Sequence, residues 1–191
     1  DDDKFNHESC IRLITRLIFV WFLKQKNLIP EEYFDVEYIK ENFIDNFDPH
    51  DRENLIYNPN KSNYYRLILQ NLFFATLNCP IVAEGKTTPN NRRFRTKTIY
   101  QGRNKEFNIN NLMRYEDDFM EGGAAKFLKL ANSKVPFLNG GLFDCLDDKR
   151  RGMYFDGFSD RKESLESLYL PDYLFFGDEV GRGIDLSQWY G

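Results

Sequence analysis

The stretch from Asn6 to Lys26 constrains the fold more than any other part of the chain. Within it Cys10, Leu13, Ile14, Leu17, Ile18, Val20, Trp21 and Phe22 recur at spacings of three and four, the period of an amphipathic helix. Arg12, Thr15 and Arg16 interrupt the apolar surface on the other side. Asn6 is placed to cap the start, Lys24 and Lys26 suit the negative end of the helix dipole, and Asn27 follows as a C-cap. An apolar surface this broad predicts a central helix with neighbours on several sides.

Pro30 with Glu31 and Glu32 opens a second predicted helix, running to about Asn46 and turning Phe34, Tyr38, Ile39 and Phe43 inward. Asp48-Pro49 is a turn, and His50 to Lys61 reads as a loop. Ser62 is a suitable N-cap for a third helix, Asn63 to Leu77, which Asn78 and Pro80 end. From Ala83 to Asn111 the helical period is lost, and only Ile99 and Tyr100 suggest a short strand. Helical patterning returns from Asn111 to Lys134, interrupted at Gly122-Gly123. Beyond Val135 glycines are frequent, and Met153-Tyr154-Phe155 and Tyr173-Leu174-Phe175-Phe176 read as short strands. The expected fold class is mainly α. A helical domain covers 1–134, and a smaller irregular region containing short strands covers 135–191.

The chain has 191 residues, enough to enclose a core without staples, and its 18 Phe, 11 Tyr and 2 Trp must supply much of it. Cys10, Cys79 and Cys145 are odd in number and widely spaced, and His7 and His50 are at no ligand spacing from them. That argues against a disulfide framework or a zinc site and for a reducing, cytoplasmic setting. The longest apolar run, Leu17 to Leu23, is too short for a membrane span, and Asp1-Asp2-Asp3-Lys4 is the opposite of a basic leader. No membrane partner is expected. The net charge of −4 differs from the basic excess of a free-standing DNA-binding domain, so any contact with nucleic acid would be local.

The search for catalytic chemistry finds little. No glycine-rich strand-turn-helix pattern stands ready for S-adenosylmethionine, and no Gly-x-x-x-x-Gly-Lys-Ser/Thr loop is present. Asn58-Pro59-Asn60 lacks the second proline and the aromatic that adenine N6 methylation uses. Glu84-Gly85-Lys86 has a nuclease-like Glu-x-Lys shape, but Pro171-Asp172 follows it in the wrong order. Asp144, Asp147, Asp148, Asp156 and Asp160 could hold a cation if folded together; the interleaved Lys149, Arg150 and Arg151 favour a solvated, mixed-charge loop. His7, Ser9 and Cys10 could suggest a base and a nucleophile, although Cys10 on the apolar helix face reads as a packed small hydrophobe. One segment stands apart. Arg92, Arg93, Arg95, Lys97, Arg103 and Lys105, with Phe94 and Tyr100 between them, could track a phosphate backbone. The competing reading is a solvated loop.

Three strings carry a resemblance. The first runs from Arg12-Leu13 through Phe22-Leu23-Lys24 to Leu28-Ile29-Pro30. The second runs from Tyr64-Tyr65-Arg66 through Leu69-Gln70-Asn71-Leu72-Phe73-Phe74-Ala75-Thr76-Leu77-Asn78. The third is Val135-Pro136-Phe137-Leu138-Asn139-Gly140-Gly141-Leu142-Phe143-Asp144, followed by Asp156-Gly157-Phe158-Ser159-Asp160 and Pro171-Asp172-Tyr173-Leu174-Phe175-Phe176. In this order they resemble the helical region upstream of the methyltransferase domain in type IIG-like restriction-modification enzymes, adenine-specific DNA methyltransferases that often carry a fused endonuclease. The third string is the most specific. Its Asn139-Gly140-Gly141 also makes sense as a tight turn, with an anion-binding nest of amides as the alternative.

The resemblance implies a fragment of a type II restriction-modification enzyme, serving as a non-catalytic helical connector that touches DNA. In that family the nuclease lies N-terminal and the cofactor loop and Asn-Pro-Pro-Tyr motif lie C-terminal. No catalytic, cofactor or metal residue therefore transfers to this chain. S-adenosylmethionine and, with a fused nuclease, magnesium would serve the parent enzyme. The implied partners are DNA and the adjacent nuclease and methyltransferase domains. The alternative is a helical protein-interaction module with no nucleic-acid role, presenting the wide apolar face of the first helix to another subunit.

Overall fold

A computed structural model describes residues 2–51, 62–79, 113–138, 141–145, 147, 155–160 and 170–177. Among these the fold is mainly helical, as expected. The first helix, α1 (Asp2–Gln25), starts before Asn6, so Asn6 is not its cap. At its far end Asn27 takes a left-handed conformation (φ 58°), its amide donates to Lys24 O at 2.8 Å, and Leu28 N donates to Leu23 O at 2.9 Å. That is a Schellman ending, which satisfies carbonyls a helix otherwise leaves open.

The orientation of α1 departs from expectation. Its buried positions are Ser9, Leu13, Arg16, Val20 and Leu23, whereas Ile11, Ile14, Ile18, Trp21 and Phe22 are exposed. The helix is therefore not enclosed on several sides. Apolar residues occur almost all round it, so periodicity could not select the inward side; the fixed partners of Arg16 do.

The helix expected from Pro30 onward is split. Glu31–Phe34 form a 3-10 turn, Asp35 is extended, and α2 (Val36–Asn42) then begins. Asp35 Oδ1 accepts from Tyr38 N at 2.8 Å, an N-cap that compensates for the break. Ile39 and Phe43 are fully enclosed.

The central element is instead the third helix. Residues Tyr64–Leu69 and Asn71–Leu77 are wound as π-helix on either side of Gln70. Gln70 N donates to Tyr65 O and Asn78 N to Phe73 O, both five residues back. Nearly every residue from Tyr64 to Cys79 is buried, the mark of a helix with neighbours all round. Ser62 does not cap it by side chain. The start is held from far away: Asp172 Oδ1 accepts from Tyr64 N at 2.6 Å.

Gly122, at φ 73°, supplies the left-handed residue that starts α3 (Gly123–Lys134), the interruption expected at Gly122-Gly123. Phe127 of α3 stacks on Tyr33 at 4.5 Å between centroids, and Tyr33 Oη donates to Phe127 O at 2.7 Å. This ties α3 to the 3-10 turn through a buried polar tip.

Later in the chain, the expected strands are not seen among the described residues. Phe155 forms a lone bridge, donating to Cys145 O and accepting from Asp147 N, and Tyr173–Phe176 is a helical turn, α4. Met153 and Tyr154 lie outside the described residues. Phe143, Cys145, Phe175 and Phe176 join the same hydrophobic core as the helices, with Tyr64 packed on Phe175 and Phe176 at 5.3 and 4.7 Å. No helix among the described residues is long and apolar enough to cross a membrane.

Candidate functional site

The most distinctive chemistry lies in a buried ionic cluster where α1, the central helix and the 141–160 stretch meet. Arg16 enters it from α1 with its side chain only 2% exposed. Its Nε donates to Leu142 O at 2.8 Å, and its Nη2 donates to Asp144 O and Asp147 Oδ1, both at 3.0 Å. The guanidinium also lies over the Phe74 ring at 5.1 Å. Burial works against the charge, but Asp147, through its field and its hydrogen bond, acts with Tyr65 and Asp156 to hold the Arg16 pKa above the ordinary value.

Arg12, one turn earlier and half-buried, donates to Asp147 O at 3.1 Å and Oδ1 at 3.2 Å. Asp147 Oδ2 accepts from Gly157 N at 2.9 Å. Gly157 has no room for a side chain, because a Cβ there would sit 2.3 Å from Ser9 Oγ and 3.3 Å from Asp147 Oδ2.

Asp156 lies deeper. The π winding places Tyr65 and Gln70, five residues apart, over one another, so both reach this carboxylate. Tyr65 Oη donates to Oδ1 at 2.5 Å, and Gln70 Nε2 approaches Oδ2 at 3.4 Å. Ser159 N and Oγ donate to Oδ2 at 2.7 and 2.8 Å. Burial and then Asp147 push the Asp156 carboxyl up, opposed by Arg114, Tyr65 and Ser159. Tyr65 is pushed well up by burial and then by Asp156.

Arg114 closes the cluster. Its Nη2 donates to Asp160 Oδ1 at 2.5 Å and its Nη1 approaches Cys145 Sγ at 3.7 Å. Asn71 clamps its backbone, accepting from Arg114 N at 2.7 Å and donating to Arg114 O at 2.9 Å. Burial opposes the Arg114 charge; Cys145 and Asp160 raise its pKa well above the ordinary value all the same. Burial likewise pushes the Cys145 thiol well up.

Three guanidinium groups thus face three carboxylates, with Arg16, Asp147 and Asp156 buried and Arg12 and Asp160 at the rim, an arrangement in which buried charge is tolerated because it is paired. This corrects the expected solvated loop: Asp147 and Asp156 are buried, and Asp160 is paired. Asp148, Lys149, Arg150 and Arg151 lie outside the described residues. Among the described residues no group of three or more metal-ligating side chains is placed to hold an ion. The sequence gives Tyr65, Gln70 and Asn71 a place only in the second string and Arg114 none, and it puts Arg16 on the polar side of its helix. For Arg16, Tyr65, Gln70 and Asn71 the one signal is a polar group inside an apolar helical run, whereas Arg114 lies in a turn.

The basic residues Arg92, Arg93, Arg95, Lys97, Arg103 and Lys105 lie outside the described residues, as do Glu84, Lys86 and Asn58-Pro59-Asn60. Ser9 is buried, while His7 and Cys10 are exposed, so Cys10 is not the packed hydrophobe expected. None of the three cysteines is in a disulfide. Comparison with protein-family models, with curated proteins and with solved structures returned no match.

Proposed function

We propose that this chain is the non-catalytic helical connector of a type II restriction-modification protein, of the kind that transfers a methyl group from S-adenosylmethionine to adenine N6. The observation that carries the reading is where the three family-like strings meet. Arg16 of the first bonds Leu142 O and Asp144 O of the third, and Tyr65 and Gln70 of the second bond Asp156 and Ser159 of the third; Arg12, Asn71 and Asp160 join them through Asp147 and Arg114, which lie outside the strings. Their polar residues hold one another and the backbone, a framework role that suits a rigid spacer between two working domains. In this reading the segment from Arg92 to Lys105 contacts phosphate, and cofactor and magnesium chemistry belong to the adjoining domains of the parent.

Two measurements test it. In the longer protein that contains this chain, labelled S-adenosylmethionine should yield N6-methyladenine in duplex DNA; a parent with no such activity counts against the assignment. In a salt-dependent gel shift, replacing Arg92, Arg93 and Arg95 with alanine should weaken binding and flatten the salt slope by roughly 0.9 per lost phosphate contact. Absence of DNA binding by the unsubstituted chain would remove the DNA-contact element.

A second reading, a protein-interaction module, is favoured by the exposed apolar side of α1.

A further inference from the structure

The outward side of α1 asks what covers it. Ile11, Ile14, Ile18, Trp21 and Phe22 are 63, 52, 47, 45 and 48% exposed, and they lie opposite the buried Leu13, Arg16 and Val20. At roughly 200 Å² per side chain, half exposed, they present about 500 Å² of largely apolar surface, near the upper end for a monomer. Phe19 and Leu28, each 39% exposed, extend it toward the ~800 Å² that each partner contributes to a stable interface.

We propose that this face pairs with the same face of a second copy of the chain, with the two α1 helices antiparallel. Positions 11, 14, 18 and 21 are separated by three, four and three residues, the repeat of a helix-helix seam, and read the same from either end. Antiparallel packing sets Ile14 against Ile18 on both sides of the two-fold axis. It sets Ile11 against Trp21 in the outer layers, so each layer joins a small and a large side chain where a parallel pair would collide Trp21 with Trp21. Charge agrees with this direction. Near the start of α1 the exposed Asp3 and Glu8 outnumber the exposed Lys4, and Lys26 is exposed just past its end with Lys24 half-buried beside it. An antiparallel pair brings the acidic end of each helix to the basic end of the other and aligns their dipoles favourably. A parallel pair stacks like on like. The buried cluster makes the face available, since Arg16 and Arg12 fix the opposite side of the helix against Asp147.

The inference is independent of any role in DNA modification. Sedimentation velocity of the 191-residue chain over a concentration series should give a dimer. The substitutions Ile14→Glu and Ile18→Glu together should give a monomer with unchanged circular dichroism and a thermal midpoint equal to that of the unsubstituted chain diluted until it dissociates, because both sites are solvent-facing in the single chain. In a Cys10→Ser background, a mixture of Ile14→Cys and Ile18→Cys chains should oxidise to the mixed disulfide in preference to either like pair. A chain that stays monomeric, a dimer that survives the two glutamates, or cross-linking of like with like would each overturn the proposal.

Discussion

Arg16 and Asp147, 131 residues apart in the chain, meet at 3.0 Å with their side chains 2% and 1% exposed. Neutralising one member strands the other charge in a dry site. Asp147→Asn should therefore lower stability by about 3–5 kcal/mol, read as a drop in the urea midpoint. Asp118→Asn provides the contrast. Its carboxylate meets Arg66 at 2.7 Å but is half exposed, so the same change there should cost under ~1 kcal/mol. Equal costs at the two sites would deny the cluster its special standing.

The neighbouring tyrosines of the central helix separate hydrogen bonding from packing. Tyr65 Oη donates to the Asp156 carboxylate, whereas Tyr64 Oη is enclosed with no partner among the described residues. Tyr65→Phe should cost about 1.5–3 kcal/mol, the range for a bond to a charged group. Tyr64→Phe should be neutral or slightly stabilising, since it removes a buried polar atom without a bond. Chemical denaturation of the two single variants decides the order.

Gly157 tests the close approach of α1 to the third string. Alanine there places a methyl group against Ser9 Oγ and should cost ~1–3 kcal/mol as overpacking. Ser9→Ala takes away that oxygen, itself without a partner among the described residues, and should recover part of the loss in a double-mutant cycle. Strict additivity would mean that the two residues do not touch.

Stability should also fall on the alkaline side. Burial pushes Cys145 well above its ordinary 9.0, and Tyr64 and Tyr65 well above 10.0. As pH rises past those ordinary values, the unfolded chain releases protons that the native state retains. The contribution is thus complete below about pH 9 and is lost progressively above it. Urea midpoints from pH 8 upward should decline, and less steeply in Tyr65→Phe. A flat profile would contradict the burial of these groups.

Local signals were legible in the sequence: the extent of the third helix, Asn27 as the left-handed stop of α1, and the break at Gly122. Each depends on residues within one or two turns. The inward side of α1 was not legible, because Ile11 and Leu13 look alike to a periodicity argument and the deciding partner of Arg16 is 131 residues away. The carboxylates read as a solvated loop for the same reason. Among the described residues their cations are Arg12, Arg16 and Arg114, which come from distant parts of the chain. Tyr173–Phe176 is too short for its pattern to distinguish a strand from the helical turn it forms. Asp35 ended one predicted helix early by capping the next.

The connector reading places cofactor chemistry outside this chain, and calorimetric titration with S-adenosylmethionine addresses that claim most directly. The 191-residue chain should give no binding heat, while the longer protein containing it should bind. Micromolar binding by the chain alone would contradict the assignment.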